Sequence, residues 1–195
     1  MGEERMKRFK GVRGMLVFLV LLAMLAGYYF YLSNKAEKDG EETATTKTQE
    51  VLLRDLSRNY PASPKEVLRY YSEVLQCMYN EEYSEKELEQ LAERAMEICD
   101  EDLVSFQSEE YVKRLQEDVQ AYKSQGVQIS SYKTSNSTDV EYFSKDGREC
   151  ASLFCTYTLR MGTNLQTIEE VFILRKDEEG HWKIFGWDEA EPQTK

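Results

Sequence analysis

Apolar residues follow three rhythms along this 195-residue chain. The first is unbroken. Residues 15–32 (MLVFLVLLAMLAGYYFYL) contain no charged side chain. At a rise of about 1.5 Å per residue they reach about 27 Å as a helix, close to the roughly 30 Å hydrocarbon core of a bilayer. The pattern predicts a membrane-spanning helix with Tyr28, Tyr29 and Tyr31 at headgroup level. A cleaved signal peptide fits less well, because cleavage after Ala26 puts Met24 where a small residue belongs and the apolar run continues to Leu32. No cysteine follows the run to carry a lipid, and Met6 breaks the myristoylation pattern.

The second rhythm has a period near 3.6. After a polar stretch from Ser33 to Gln49, a short amphipathic piece begins at Glu50 with Val51, Leu52, Leu53 and Leu56, and ends at Tyr60-Pro61. Ser63-Pro64-Lys65-Glu66 combines an N-cap with a proline at the first helical position. Val67, Leu68, Tyr71, Val74, Leu75, Met78 and Tyr79 then mark one apolar face. A capping box opens a second helix at Ser84 and Glu87, with Leu88, Leu91, Ala92, Ala95, Ile98 and Cys99 in phase. A third helix is predicted from about Ser108 to Gln125, closed by Gly126.

Past Gly126 the period falls to two, which predicts strands over 127–133, 139–144, 149–161, 167–176 and 181–188. Asp146-Gly147 is a strong hairpin signal, and Asp177 to Gly180 makes a second connection. Short links imply an antiparallel meander. Helices first and strands afterwards predict an α+β domain, about three helices on a sheet of about five strands. The organisation read from these rhythms is a tail over 1–14, a span over 15–32, a tether and short segment over 33–61, and a domain over 62–191.

Charge decides orientation and excludes some partners. Five basic residues precede the span (Arg5, Lys7, Arg8, Lys10, Arg13), whereas Lys35, Lys38 and Lys47 follow it, so the N-terminus is expected in the cytoplasm and the domain outside. The formal charge is −11, and the first fourteen residues carry five basic and two acidic groups, leaving −14 for the remainder. No basic cluster follows residue 14, which argues against nucleic acid as a partner.

The four cysteines permit three disulfide connectivities. Cys150 and Cys155 on one strand would stand about 16 Å apart and on opposite faces, too far to bond. Cys77 with Cys99 is the pair to test first; free buried thiols acting as small apolar residues are the favoured alternative. There is no C-x-x-C, and His181 is the single histidine, so no metal and no cofactor is expected.

The order of elements resembles the NTF2-like (cystatin-like) superfamily. The local match is Val171-Phe172-Ile173-Leu174-Arg175-Lys176, a turn with Gly180, then Trp182-Lys183-Ile184. It is similar to the closing strand pair of many such domains. Asn59-Tyr60-Pro61, Ser63-Pro64, Glu66-Val67 and Cys77 to Tyr83 resemble an uncharacterised family of single-span envelope proteins of clostridia-type Gram-positive bacteria. That resemblance implies a fold and a compartment, the cell membrane, and no activity. NTF2-like enzymes place Asp, Tyr or His inside a cone between sheet and helices. Tyr71, Tyr132, Tyr142, Tyr157 and Asp188 are therefore the residues expected to line such a pocket, none within a recognisable catalytic motif.

No glycine-rich phosphate loop and no nucleophile elbow occurs in the sequence. His181 reads as a surface residue beside a core tryptophan. The leading expectation is a non-enzymatic, membrane-anchored extracytoplasmic module that binds an envelope protein or a small ligand. A scaffold resembling the inner-membrane components of type IV secretion and conjugation machines, with self-association, is one alternative. A small-molecule lyase or isomerase is the other.

Overall fold

A computed structural model describes residues 46–105 and 111–190. The span expected over 15–32 lies outside the described residues, among which no helix is long and apolar enough to cross a membrane. The compact unit that begins at Thr45 is an α+β unit, with five α-helices and a five-stranded antiparallel sheet among the described residues.

The helices are α1 (Lys47–Leu52), α2 (Pro64–Asn80), α3 (Glu85–Glu97), α4 (Glu101–Ser105) and α5 (Tyr111–Ser124). Their starts follow capping chemistry. Ser63 accepts from the Glu66 N–H ahead of α2, and Ser84 and Glu87 form the reciprocal box ahead of α3. A further box, Thr46 with Gln49, opens α1 three residues before the amphipathic pattern signals it. Val51 and Leu56 are buried, so the segment ahead of Ser63 packs into the unit.

The strands are β1 (Val127–Thr134), β2 (Glu141–Lys145), β3 (Arg148–Met161), β4 (Asn164–Lys176) and β5 (Trp182–Glu189). They do not form the simple meander that short links implied. The order is β1-β3-β4-β5, and β2 also pairs with β3. At fourteen residues β3 is long enough to take β2 along Arg148–Ser152 and β1 along Cys155–Met161, so β1 and β2 sit end to end on one side of it. Asp146 and Gly147 both have positive φ (53° and 79°), the type I′ geometry that matches strand twist at the β2–β3 turn.

Helices cover one face of the sheet. Val67, Leu68, Val74, Met78, Leu91 and Ile98 are fully buried against Leu153, Phe172, Leu174 and Ile184. Each such side chain contributes about 1.5–3 kcal/mol relative to exposure. The free edge of β5 is closed by the chain between α3 and α4: Ile184 N–H donates to Ile98 O and Asp100 N–H donates to Ile184 O, both at 2.8 Å. Asp100, 1% exposed, then accepts from both arms of Arg175, which also reaches Asp102. None of α4, this edge pairing or the ion pair is visible in apolar periodicity.

Candidate interaction surface

The two faces of the sheet differ in chemistry, and register assigns each residue to one of them. On the helix-covered face, Tyr71 meets the Phe172 ring edge-on at 6.0 Å and the Trp187 ring at 5.9 Å, while Phe172 and Trp187 stack at 5.9 Å. Phe172 and Tyr71 are buried there, while Trp187 stays 43% exposed. Tyr157 is buried below them and its hydroxyl lies 2.9 Å from Ser72 Oγ. Because Ser72 donates to Leu68 O, the tyrosine O–H is the donor to Ser72. Burial holds the Tyr71 and Tyr157 hydroxyls well above the usual tyrosine range, so both stay protonated.

Of the residues expected in a pocket, the structure brings Tyr71 and Tyr157 together here, with Tyr132 half-buried on the same face opposite Tyr157. Tyr142 shares that face but stands beyond the helices, 62% exposed, with its ring 5.8 Å from Trp182. Asp188 is a correction: it points to the other face. Strict alternation from Trp182 and Ile184 would turn it toward the helices, but β5 carries a bulge. Leu174 pairs with Ile184 and Ile173 with Gly186, so Phe185 is an extra residue and the phase inverts after it. Trp187 and Glu189 take the covered face instead.

Glu170, which motif reasoning passed over, sits on the covered face opposite Cys155 and Glu189. Burial, then the charge of Glu189, pushes its carboxyl above the ordinary glutamate value. The available signal was its phase with Phe172 and Leu174. The four cysteines are free thiols, Cys77 and Cys99 included. Cys99 donates to Ala95 O, and burial pushes its thiol up to about 12, which leaves little thiolate at neutral pH. His181 lies away from this cluster, its ring tilted against Tyr60 at 4.4 Å with Nδ1 3.4 Å from Glu179. Among the described residues no cluster of His, Cys, Asp and Glu could hold a metal ion.

Among the described residues no helix packs on the opposite face, which carries several apolar side chains. Phe154 pairs with Val171, Ser152 lies between Glu141 and Ile173, and Phe143 stands beside Cys150. The bulged Phe185 ring adds to them, with the Arg175 guanidinium 4.4 Å above it and Lys145 Nζ at 5.8 Å. Phe143 is 41% and Phe154 37% exposed; Val171, Ile173 and Phe185 are half-buried. Beside Phe154 lies a groove of about 340 Å³ formed by Lys133, Ser135, Asn136, Thr156 and Glu169. Apolar side chains gathered on a solvated sheet face make that face a candidate interaction site.

No curated protein matches the chain. A family described as a domain of unknown function (DUF6715) matches residues 3–187, nearly the whole chain, and the protein belongs to that family.

Proposed function

We propose that the protein is a non-enzymatic, membrane-anchored interaction module, with an NTF2-like domain held outside the cell membrane by the helix expected over 15–32. It binds a protein of the cell envelope through the uncovered face of its sheet. The observation that carries this reading is the group Phe143, Phe154, Val171, Ile173 and Phe185 on the face that, among the described residues, no helix covers, with a 340 Å³ groove beside Phe154. The partner surface it fits has an apolar centre. A protruding side chain would enter the groove, whose rim offers Lys133 and Glu169 for polar contacts.

The test is photo-crosslinking in intact cells from a probe placed at Phe154, with a probe at Glu89 on α3 as the control surface. One reproducible envelope protein trapped from Phe154 and lost on Phe143→Asp supports the proposal. Equal labelling from both positions, or none from Phe154, overturns it. The lyase or isomerase alternative draws on Glu170, a carboxyl with a raised pKa among aromatic rings. It requires a bound metabolite to co-purify with the chain and to be lost on Glu170→Gln.

A further inference from the structure

Among the described residues, each outer strand of the sheet carries at least one device against edge pairing. The outer edge of β1 is bulged between Ile129 and Ser131, and Asn80 both donates to Ile129 O and accepts from Ile129 N–H. β2 is five residues long and ends in Glu141 and Lys145. The edge of β5 is closed by Ile98 and Asp100 and kinked by its own bulge. Short strands, bulges, charges and covering segments are the devices that keep edges from pairing with other chains.

Strand β4 is longer than β5, and pairing between them stops at Glu170 with Glu189, followed by one bond from Ala190 N–H to Glu169 O. Beyond that point the stretch Asn164-Leu165-Gln166-Thr167-Ile168 is paired with β3 on one side and, among the described residues, with nothing on the other. It contains no charge, no proline and no bulge. In the register of β5 the next donor to Thr167 O would come from position 192, where the sequence has a proline with no N–H to give.

We infer that this stretch pairs antiparallel with the same stretch of a second copy of the chain, about a two-fold axis at Gln166. Glu169 directs its carbonyl to the free side, so by alternation Leu165 and Thr167 do the same, and Gln166 turns its backbone to β3. With Gln166 on the axis, Leu165 of each copy faces Thr167 of the other, and both residues have N–H and C=O free. That register makes four hydrogen bonds and uses no group already taken. Moving the axis to Thr167 would bring Leu165 against Glu169, whose carbonyl Ala190 already occupies. The register sets no like charges opposite each other, and Leu165, 63% exposed, gains a partner. Neither the membrane anchor nor the uncovered sheet face is needed for the pairing.

Five residues a side bury less than the roughly 1,200 Å² of a stable interface, so the pair is transient and a covalent trap reads it best. In the full-length chain in mild detergent, Gln166→Cys places two thiols across a non-hydrogen-bonded pair, about 4.5 Å apart at Cα, where a disulfide fits. Mild oxidation should yield a linked dimer. Ile168→Cys alone should not, and an equimolar mixture of Asn164→Cys and Ile168→Cys should give the mixed dimer. Separately, Gln166→Glu or Gln166→Lys sets like charges on the axis and should weaken self-association about two- to fivefold, while mixing the two restores it. Asn164 and Gln166 are exposed and Ile168 is half-buried, and unchanged thermal midpoints check that each variant keeps the fold. A Gln166→Cys chain that stays monomeric, links no faster than Leu53→Cys, or shows no rescue on mixing the charged pair overturns the inference.

Discussion

Removing Arg175 should cost the fold more than removing Asp100, although the two share one ion pair. Arg175 donates from Nε to Asp100 Oδ2 at 2.9 Å, and from Nη2 to Asp100 Oδ1 and to Asp102 Oδ2, the last at 2.6 Å. Asp100 has a side chain 1% exposed, whereas the Asp102 side chain is 55% exposed. Arg175→Met keeps the stem but strands a buried carboxylate without a contacting cation, which costs about 3–5 kcal/mol. Asp100→Ala leaves the guanidinium with Asp102 and the Phe185 ring, so the loss is about 1–3 kcal/mol. With a urea m-value of about 2 kcal/mol/M, the midpoint falls by about 1.5–2.5 M for Arg175→Met and by about 0.5–1.5 M for Asp100→Ala. The double variant removes the stranded charge and should be more stable than Arg175→Met alone. Equal single losses, or a double loss equal to their sum, would refute a role for this pair in clamping the chain between α3 and α4 onto β5.

The pH dependence of stability should trace to Glu170. Its folded-state pKa lies above the ordinary value of 4.5, so the protonated form favours folding. That contribution is complete below the ordinary value and is lost as pH rises through the raised one. Glu170→Gln should therefore be more stable than the parent at neutral pH and flatter across the window above 4.5, measured by thermal melts; an unchanged slope defeats this assignment. For the cysteines, alkylation in denaturant without reductant should add four labels, and the native chain should react slowly at neutral pH, because burial raises the Cys77, Cys99 and Cys155 thiols. Two labels too few by mass spectrometry would establish a disulfide. Finally, protease added to intact cells should digest the domain while leaving a cytoplasmic control whole; protection of residues 62–190 would reverse the proposed topology.

The elements of this fold are written locally. Ser63 and Ser84 announce α2 and α3 because the caps act within three residues, and the change of period after Gly126 announces the sheet because side chains of a strand alternate whatever lies around them. The candidate interaction surface is less legible. Phe143, Phe154 and Phe185 look like core residues in a one-dimensional pattern, and only their register shows that they share the face that, among the described residues, no helix covers. Asp188 was misplaced for a related reason: one extra residue in β5 inverts every side chain beyond it, and a bulge leaves no mark on composition.

By itself, the sequence determined the α+β class, the helix starts, the tight Asp146-Gly147 turn and an acidic chain behind an uncharged stretch of eighteen residues. Tertiary structure alone decided which strand takes β1 and β2 together, that Asp100 meets Arg175 seventy-five residues away, and that, among the described residues, β5 leaves the Asn164–Ile168 end of β4 without a second partner strand. Caps, turns and periods are settled by neighbours along the chain. Register and edge closure depend on hydrogen bonds between segments far apart in sequence, whose partners exist only once the chain has folded.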